Sequence, residues 1–304
     1  MLDCGASIAR SPTYCDRWRG QDPLGGMAGS KMDTGTARFP MTVAEFVRGG
    51  FLRRADVVLE RGHRLFSRAI RYATDSPFSH AALIFLVPEP EQGFDHAFLL
   101  EAVPKGVSVS RVSHVTDPDA SGSYAAAIAI LRFKAPWFSD DVARVVRGHM
   151  LNFIAGGYDW HTVISIATSV LGARLFGRKE EVPHALARAL TKAQARQGRA
   201  PANFICSGFV QYGYLRALQD LVEQTSPPIT EADVRRAIFN PRLASIPLPA
   251  MLGGDPASLA VLMSTTPEEI SQSDNLEWKY VLLRGQAYEV ANRDEAVRLI
   301  ELAP

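Results

Sequence analysis

The sequence predicts an α+β fold, and two observations carry the prediction. Short apolar strands separated by tight turns crowd residues 55–133, while helical spacing and helix-start signals dominate from about residue 139 onward. Strands grouped first and helices afterwards argue for α+β rather than for alternating βαβ units, and the tight turns argue for an antiparallel sheet. No internal repeat is visible at any period, which argues against a solenoid or propeller.

Residues 1–40 are rich in Gly, Ser, Thr, Asp and Arg without apolar periodicity and read as a flexible leader; residues 41–304 read as one folded domain. A short helix, Val43–Val47, precedes a strand over Ala55–Glu60. Apolar residues at 65, 66, 69, 70 and 73 then have helical spacing, and Asp75-Ser76-Pro77 ends that helix. Ser79–Val87 is nearly continuous in apolar residues, as a strand buried on both faces is. A Pro/Glu/Gly turn over 88–93 leads to a partner strand, Phe94–Val103. Gly106–Val112 alternates cleanly, so one of its faces is wet; Tyr124–Phe133 is a fourth strand.

Ser139-Asp140-Asp141 caps a helix running to about Ala155, and Gly156–Trp160 is a loop. Helices over 161–176 (apolar) and 183–197 (Arg- and Ala-rich) make a helical insertion of about 160–200. Asn203 is read as the N-cap of a helix that carries Cys206 and reaches about Gln224. A Pro- and Gly-rich stretch over 226–255 contains a short helix, Glu231–Phe239. Thr266-Pro267-Glu268-Glu269 starts a helical turn, and Trp278–Arg284 with Gln286–Val290 form a hairpin around Gly285.

The chain has 304 residues, 47% of them hydrophobic and 21% charged, an ordinary balance for a protein with a core. Its net charge of +1 gives no global bias toward nucleic acid. The 3 cysteines do not make a disulfide scaffold: Cys4 and Cys15 lie in the leader and Cys206 stands alone. No Sec signal is visible, and no stretch reaches the ~18–20 uninterrupted apolar residues of a spanning helix. The expected setting is cytoplasmic, or exported without a Sec signal. Basic residues flanking the 161–176 helix admit peripheral membrane contact.

An apolar setting more often makes a cysteine a small buried hydrophobe than a nucleophile. What raises Cys206 above that is its place near a helix start, where free backbone N–H groups and the helix dipole favour a thiolate, together with what lies upstream. A cysteine nucleophile needs a base and a group to orient that base. His80, at the head of a buried strand, is the best base, with His161 its one serious rival. Glu101 interrupts Phe98-Leu99-Leu100 and Ala102-Val103, so a carboxylate falls in a strand that should be buried, where it needs a partner. A hairpin centred near Glu91 would set Glu101 opposite residue 80 or 81, and a one-residue slip would reverse its face. The Cys/His spacings of metal sites and the glycine motifs of nucleotide and serine-hydrolase sites are absent, so neither metal nor cofactor is expected.

Taken together these pieces resemble the permuted papain-like amidases of the NlpC/P60 superfamily, the YaeF/YiiX-like group. The resemblance rests on Ala55-Asp56-Val57-Val58-Leu59, Phe78-Ser79-His80-Ala81-Ala82-Leu83-Ile84, Leu100-Glu101-Ala102 with Gly106-Val107, Gly157-Tyr158-Asp159, Cys206-Ser207-Gly208-Phe209-Val210 and Thr266-Pro267-Glu268-Glu269-Ile270-Ser271. It spans roughly residues 50–290. The order His, acid, Cys is the reverse of the usual papain order, as a circular permutation requires. The resemblance implies a permuted papain-like fold: an antiparallel sheet packed against the helix that bears the nucleophile. By carry-over Cys206 is the nucleophile, His80 the base and Glu101 the polar third residue, with Tyr158, Ser79 and Ser207 at the substrate. It further implies a thiol hydrolase acting on an amide, such as a peptide, an isopeptide or a peptidoglycan stem peptide. Lipid acyl hydrolysis or transfer is the alternative within the superfamily, and a non-catalytic binding module the alternative outside catalysis. The long insertion between Asp159 and Cys206 departs from the family pattern and suggests a lid or specificity element.

Overall fold

The computed structural model describes residues 39–63, 65–103, 105–153, 157–158, 203–204, 206–222, 229–252, 255–263 and 265–301. The expected leader and the helices expected over 161–176 and 183–197 lie outside the described residues. In chain order the strands are β1 (Met41–Thr42), β2 (Val57–Gly62), β3 (His80–Leu86), β4 (Phe98–Val103), β5 (Gly106–Arg111), β6 (Ala126–Phe133), β7 (Gly157–Tyr158), β8 (Asn203–Phe204), β9 (Leu276–Leu283) and β10 (Gln286–Glu289). The helices are α1 (Val43–Arg48), α2 (Leu65–Thr74), α3 (Ser113–Thr116), α4 (Asp140–Leu151), α5 (Cys206–Val222), α6 (Glu231–Arg236), α7 (Leu248–Leu252), α8 (Pro256–Met263), α9 (Pro267–Ser271) and α10 (Arg293–Glu301).

The fold is α+β. Eight strands form one sheet in the order β1-β10-β9-β6-β2-β3-β4-β5, with every neighbouring pair antiparallel. Strand alternation sends Val57, Leu59, Ala81, Leu83, Leu100, Ala129 and Leu131 to one face, where Phe209, Val210, Tyr214 and Leu218 of α5 and Val146 and Met150 of α4 cover them. Val58, Ala82, Ile84, Leu99, Ile128 and Ile130 take the other face and meet Val43 and Phe46 of α1. Burial on both faces is why the β3 run shows no alternation in sequence. β5 is an edge strand whose exposed face carries Val109 and Arg111, while Ser108 and Ser110 take the half-buried face beside Glu101.

One expectation changes. Asn203 does not cap the Cys206 helix: Asn203–Phe204 is a strand, paired in parallel with Gly157–Tyr158, and α5 begins at Cys206 itself. The strand expected over 124–133 is present as β6 and stands in the centre of the sheet, because β9 returns from the far end of the chain to pair with it. The expected hairpin around Gly285 is present, with positive φ at both Arg284 (50°) and Gly285 (73°), as a two-residue turn of this kind requires.

A buried polar cluster ties β2, β6 and α5 together. Arg132 donates through Nε and Nη2 to the two oxygens of Asp56 at 2.8 and 2.7 Å, and Nη2 also reaches the Phe51 carbonyl at 3.0 Å. Tyr214 of α5 donates to the Ala55 carbonyl. Asp56 is 2% exposed, so its charge needs the guanidinium fork to be tolerated.

Candidate active site

Two elements begin at the site. His80 is the first residue of β3 and Cys206 the first of α5, so each side chain stands at an element's end rather than in its packed middle. His80 accepts or donates to Cys206 and lies with Nε2 2.7 Å from Glu101 Oε2. Ser110 Oγ donates to Glu101 Oε1 at 2.5 Å. The result is a line of four side chains: thiol, imidazole, carboxylate, hydroxyl.

The register explains how Glu101 reaches His80. Glu101 stands opposite Ala82, two residues beyond His80, and so diagonal to it on the same face. The count from Glu91 misses this because the hairpin is centred one residue later, with Leu86 paired to Phe98, and a bulge between Ile84 and Leu86 then brings Glu101 from opposite Leu83 to opposite Ala82, on the His80 face. An extra residue on one strand shifts every later pairing. On the other side Glu101 stands opposite Ser108, which puts Ser110 on the same face one alternation further along. Ser110 was not singled out from sequence; its signal was a serine at an alternate position of the wet-faced strand beside the acid.

Electrostatics favours an ion pair. Burial pushes the Cys206 thiol up, but the His80 charge and hydrogen bond, with the N–H groups of Ala81 and Ser207, outweigh it and hold the thiol below its ordinary range. Burial alone would lower His80; the Cys206 thiolate and then the Glu101 carboxylate reverse that and raise the imidazole well above the ordinary histidine value. Burial opposes ionisation of Glu101 too, and His80, Ser110 and the charge of His114 still hold it below the ordinary carboxylate range. The three directions agree on thiolate, imidazolium and carboxylate. The Ser207 N–H belongs to the first turn of α5, where the helix dipole adds to the same preference.

Ser79 and Ser207 have other uses than the expected contact with substrate. Ser79 is 3% exposed; its Oγ accepts from the Gly62 N–H at 3.1 Å and donates to the Glu60 carbonyl at 3.2 Å, fixing the head of β3 to the end of β2. Ser207 is fully buried and donates to the Thr265 carbonyl at 2.5 Å. Both hydroxyls hold backbone beside the reactive residues. At Gly208 a Cβ would lie 2.4 Å from the Met263 carbonyl oxygen, so only glycine lets α8 end against the first turn of α5. Tyr158 is placed by its backbone alone: β7 pairs it with Phe204, two residues before Cys206. The rival His161 lies outside the described residues.

Among the described residues no cluster of His, Cys, Asp and Glu could hold a metal ion, and no helix is long and apolar enough to cross a membrane. A cavity of about 430 Å³ lies at the other end of β2, against Asp56 and Arg132, and does not include Cys206. No protein-family model matches this chain, and no curated protein matches it.

Proposed function

We propose that the protein is a cysteine hydrolase of permuted papain-like architecture that cleaves an amide bond through an acyl-enzyme. The observation that carries this is the Cys206–His80–Glu101 line, with the thiol at the head of a helix and the acid hydrogen-bonded to the base. The Cys206 thiolate attacks the carbonyl carbon, and N–H groups of the first turn of α5 receive the oxyanion. His80, protonated in the resting pair, gives its proton to the leaving nitrogen as the C–N bond breaks. It then takes a proton from water, whose oxygen attacks the thioester and releases the acid and the free thiolate–imidazolium pair. Glu101 keeps the imidazole oriented and its cation stabilised, and Ser110 fixes the second carboxylate oxygen.

The test incubates wild type and Cys206→Ala with peptidoglycan sacculi, a peptide-amide library and phospholipid vesicles, with products read by mass spectrometry. The expected products are a new amine and a new carboxylate from an amide substrate. Acid quenching should trap an acyl adduct on the peptide that contains Cys206. His80→Ala should abolish turnover. Cleavage that survives Cys206→Ala, or ester cleavage of lipid without amide cleavage, would sink the amide assignment.

A further inference from the structure

The end of the sheet that carries His80 also gathers a group of cations. β2 finishes there at Gly62, β3 starts there at His80, and the β9–β10 turn brings Arg284 there. α2 joins β2 to β3 across this end. Arg61 donates from Nη1 to the Pro77 carbonyl at 3.4 Å, three residues before His80. Arg61, His63, Arg68, Arg71 and Arg284 lie close enough to perturb one another: burial first, then Arg61, Arg71 and Arg284, lower the His63 imidazole. Burial, then Arg61 and Arg68, lower Arg71.

Among the described residues none of Arg61, Arg68, Arg71 and Arg284 makes an ion pair with a carboxylate. α2 itself, Leu-Phe-Ser-Arg-Ala-Ile-Arg-Tyr-Ala-Thr, has no acidic residue. Arg71 Nε is buried without a hydrogen-bond partner. A self-repelling cluster of this kind costs stability unless an anion completes it.

The same helix exposes large apolar side chains. Leu65 is 82% exposed and Tyr72 60%. At about 100° per residue, positions seven apart fall within roughly 20° of one another, so the two share one stripe about 10 Å long. Arg68 and Ala69, both exposed, lie between them on that stripe. A soluble polyanion would be satisfied by the arginines alone. Leucine and tyrosine interleaved with arginine on one exposed face match a bilayer interface, where apolar side chains enter the headgroup layer and cations meet lipid phosphates.

We propose that α2, with Arg61, Arg68, Arg71 and Arg284 around it, is a docking face for an anionic lipid bilayer, which holds the His80 and Cys206 end of the sheet at the membrane surface. The surface stands independently of the chemistry at Cys206, and its test reads binding alone.

The full chain and its Cys206→Ala variant are floated with vesicles of phosphatidylcholine and of phosphatidylcholine mixed with phosphatidylglycerol, over a salt series, with soluble polyglutamate as competitor. Both proteins should bind the anionic vesicles only, and less as salt rises. Arg68→Gln should weaken partitioning about fivefold, the share of one cation near such a surface. Leu65→Ser with Tyr72→Ser leaves every charge in place and should weaken it at least as much. All three positions are exposed, and unchanged thermal melts verify the fold. Equal binding to neutral vesicles, no binding to either, or variants that bind like wild type would overturn the proposal. So would a loss confined to Arg68→Gln, which would mark a site for soluble polyanions instead.

Discussion

Glu101→Gln keeps the shape of the carboxylate and removes its charge, which makes it the sharpest probe of the site. Glu101 Oε2 lies 2.7 Å from His80 Nε2, with side chains only 11% and 17% exposed, so solvent screens the pair little. A hydrogen bond between charged groups in such a setting contributes about 1.5–3 kcal/mol. Losing most of it lowers the imidazolium pKa. The thiol follows in the opposite sense, because the His80 charge and hydrogen bond are what overcome the burial of Cys206. A less cationic His80 therefore raises the thiol pKa. The assay is the rate of Cys206 alkylation by iodoacetamide across pH, followed on the Cys206 peptide by mass spectrometry. The reactive form is the deprotonated one, so the rate climbs as pH passes the thiol pKa. In wild type that climb falls below the ordinary cysteine value of about 8.5. In Glu101→Gln it moves to higher pH, and on the acid side the rate drops roughly tenfold or more. Cys206→Ala gives the background, and the Cys4 and Cys15 peptides give an internal reference. Superimposable profiles for wild type and variant would refute the coupling through His80.

Ser110→Ala removes the hydroxyl on Glu101 Oε1 and should shift the same profile in the same direction but by less, roughly threefold in rate, since a neutral donor contributes about 0.5–1.5 kcal/mol; a loss as large as that of Glu101→Gln would mean that Ser110 does more than hold the carboxylate. Gly208→Ala forces a Cβ to within 2.4 Å of the Met263 carbonyl, an atom of backbone that cannot swing away. Urea denaturation should show a loss of about 1–3 kcal/mol, as overpacking does, and the displaced first turn of α5 should slow alkylation at neutral pH. Arg132→Met strands the Asp56 carboxylate at 2% exposure and should cost about 3–5 kcal/mol by the same measurement. Adding Asp56→Asn should recover part of that; a double variant no better than the single one would show that the pair is not the source of the loss.

Much of the site was legible because chemistry interrupts pattern. A glutamate inside Phe98–Val103 and a histidine at the head of an unbroken apolar run are conspicuous where every neighbour is buried. What was not legible depends on backbone irregularity or on distance along the chain. The bulge between Ile84 and Leu86 moves Glu101 opposite Ala82, and nothing in Leu-Ile-Phe-Leu announces it. Asn203 has the composition of a helix cap, yet its backbone is taken up by pairing with Gly157, some 46 residues earlier. The central place of β6 depends on β9, whose Val281 pairs with Ala129 across more than 150 residues. Local periodicity carries no information about such returns. α10 was missed although Asp294 and Glu295 sit in its first turn and Ala296 and Ile300 are buried on one face. α8 was missed for the opposite reason: its apolar residues are spread around the helix and give no face to read.

The two serines beside the reactive residues show how the fold makes the geometry dependable. Ser79 precedes His80 and Ser207 follows Cys206. Each spends its hydroxyl on a backbone carbonyl of another element, Glu60 in β2 and Thr265 after α8. Thr265 is in turn held by Asn240, whose Nδ2 donates to Thr265 Oγ1 at 3.1 Å, and the Asn240 N–H bonds to Gln211 of α5 at 3.1 Å. The circuit closes on α5 itself, one turn beyond Cys206. A thiol and an imidazole at the free ends of two elements would otherwise fray, because an element's end has hydrogen bonds on one side only. Here the end of β3 is pinned to β2, and the head of α5 is pinned through Thr265, Asn240 and Gln211 to its own second turn. Standing at the ends lets the two side chains meet between elements, and the buried hydroxyls next to them supply the rigidity that the ends lack.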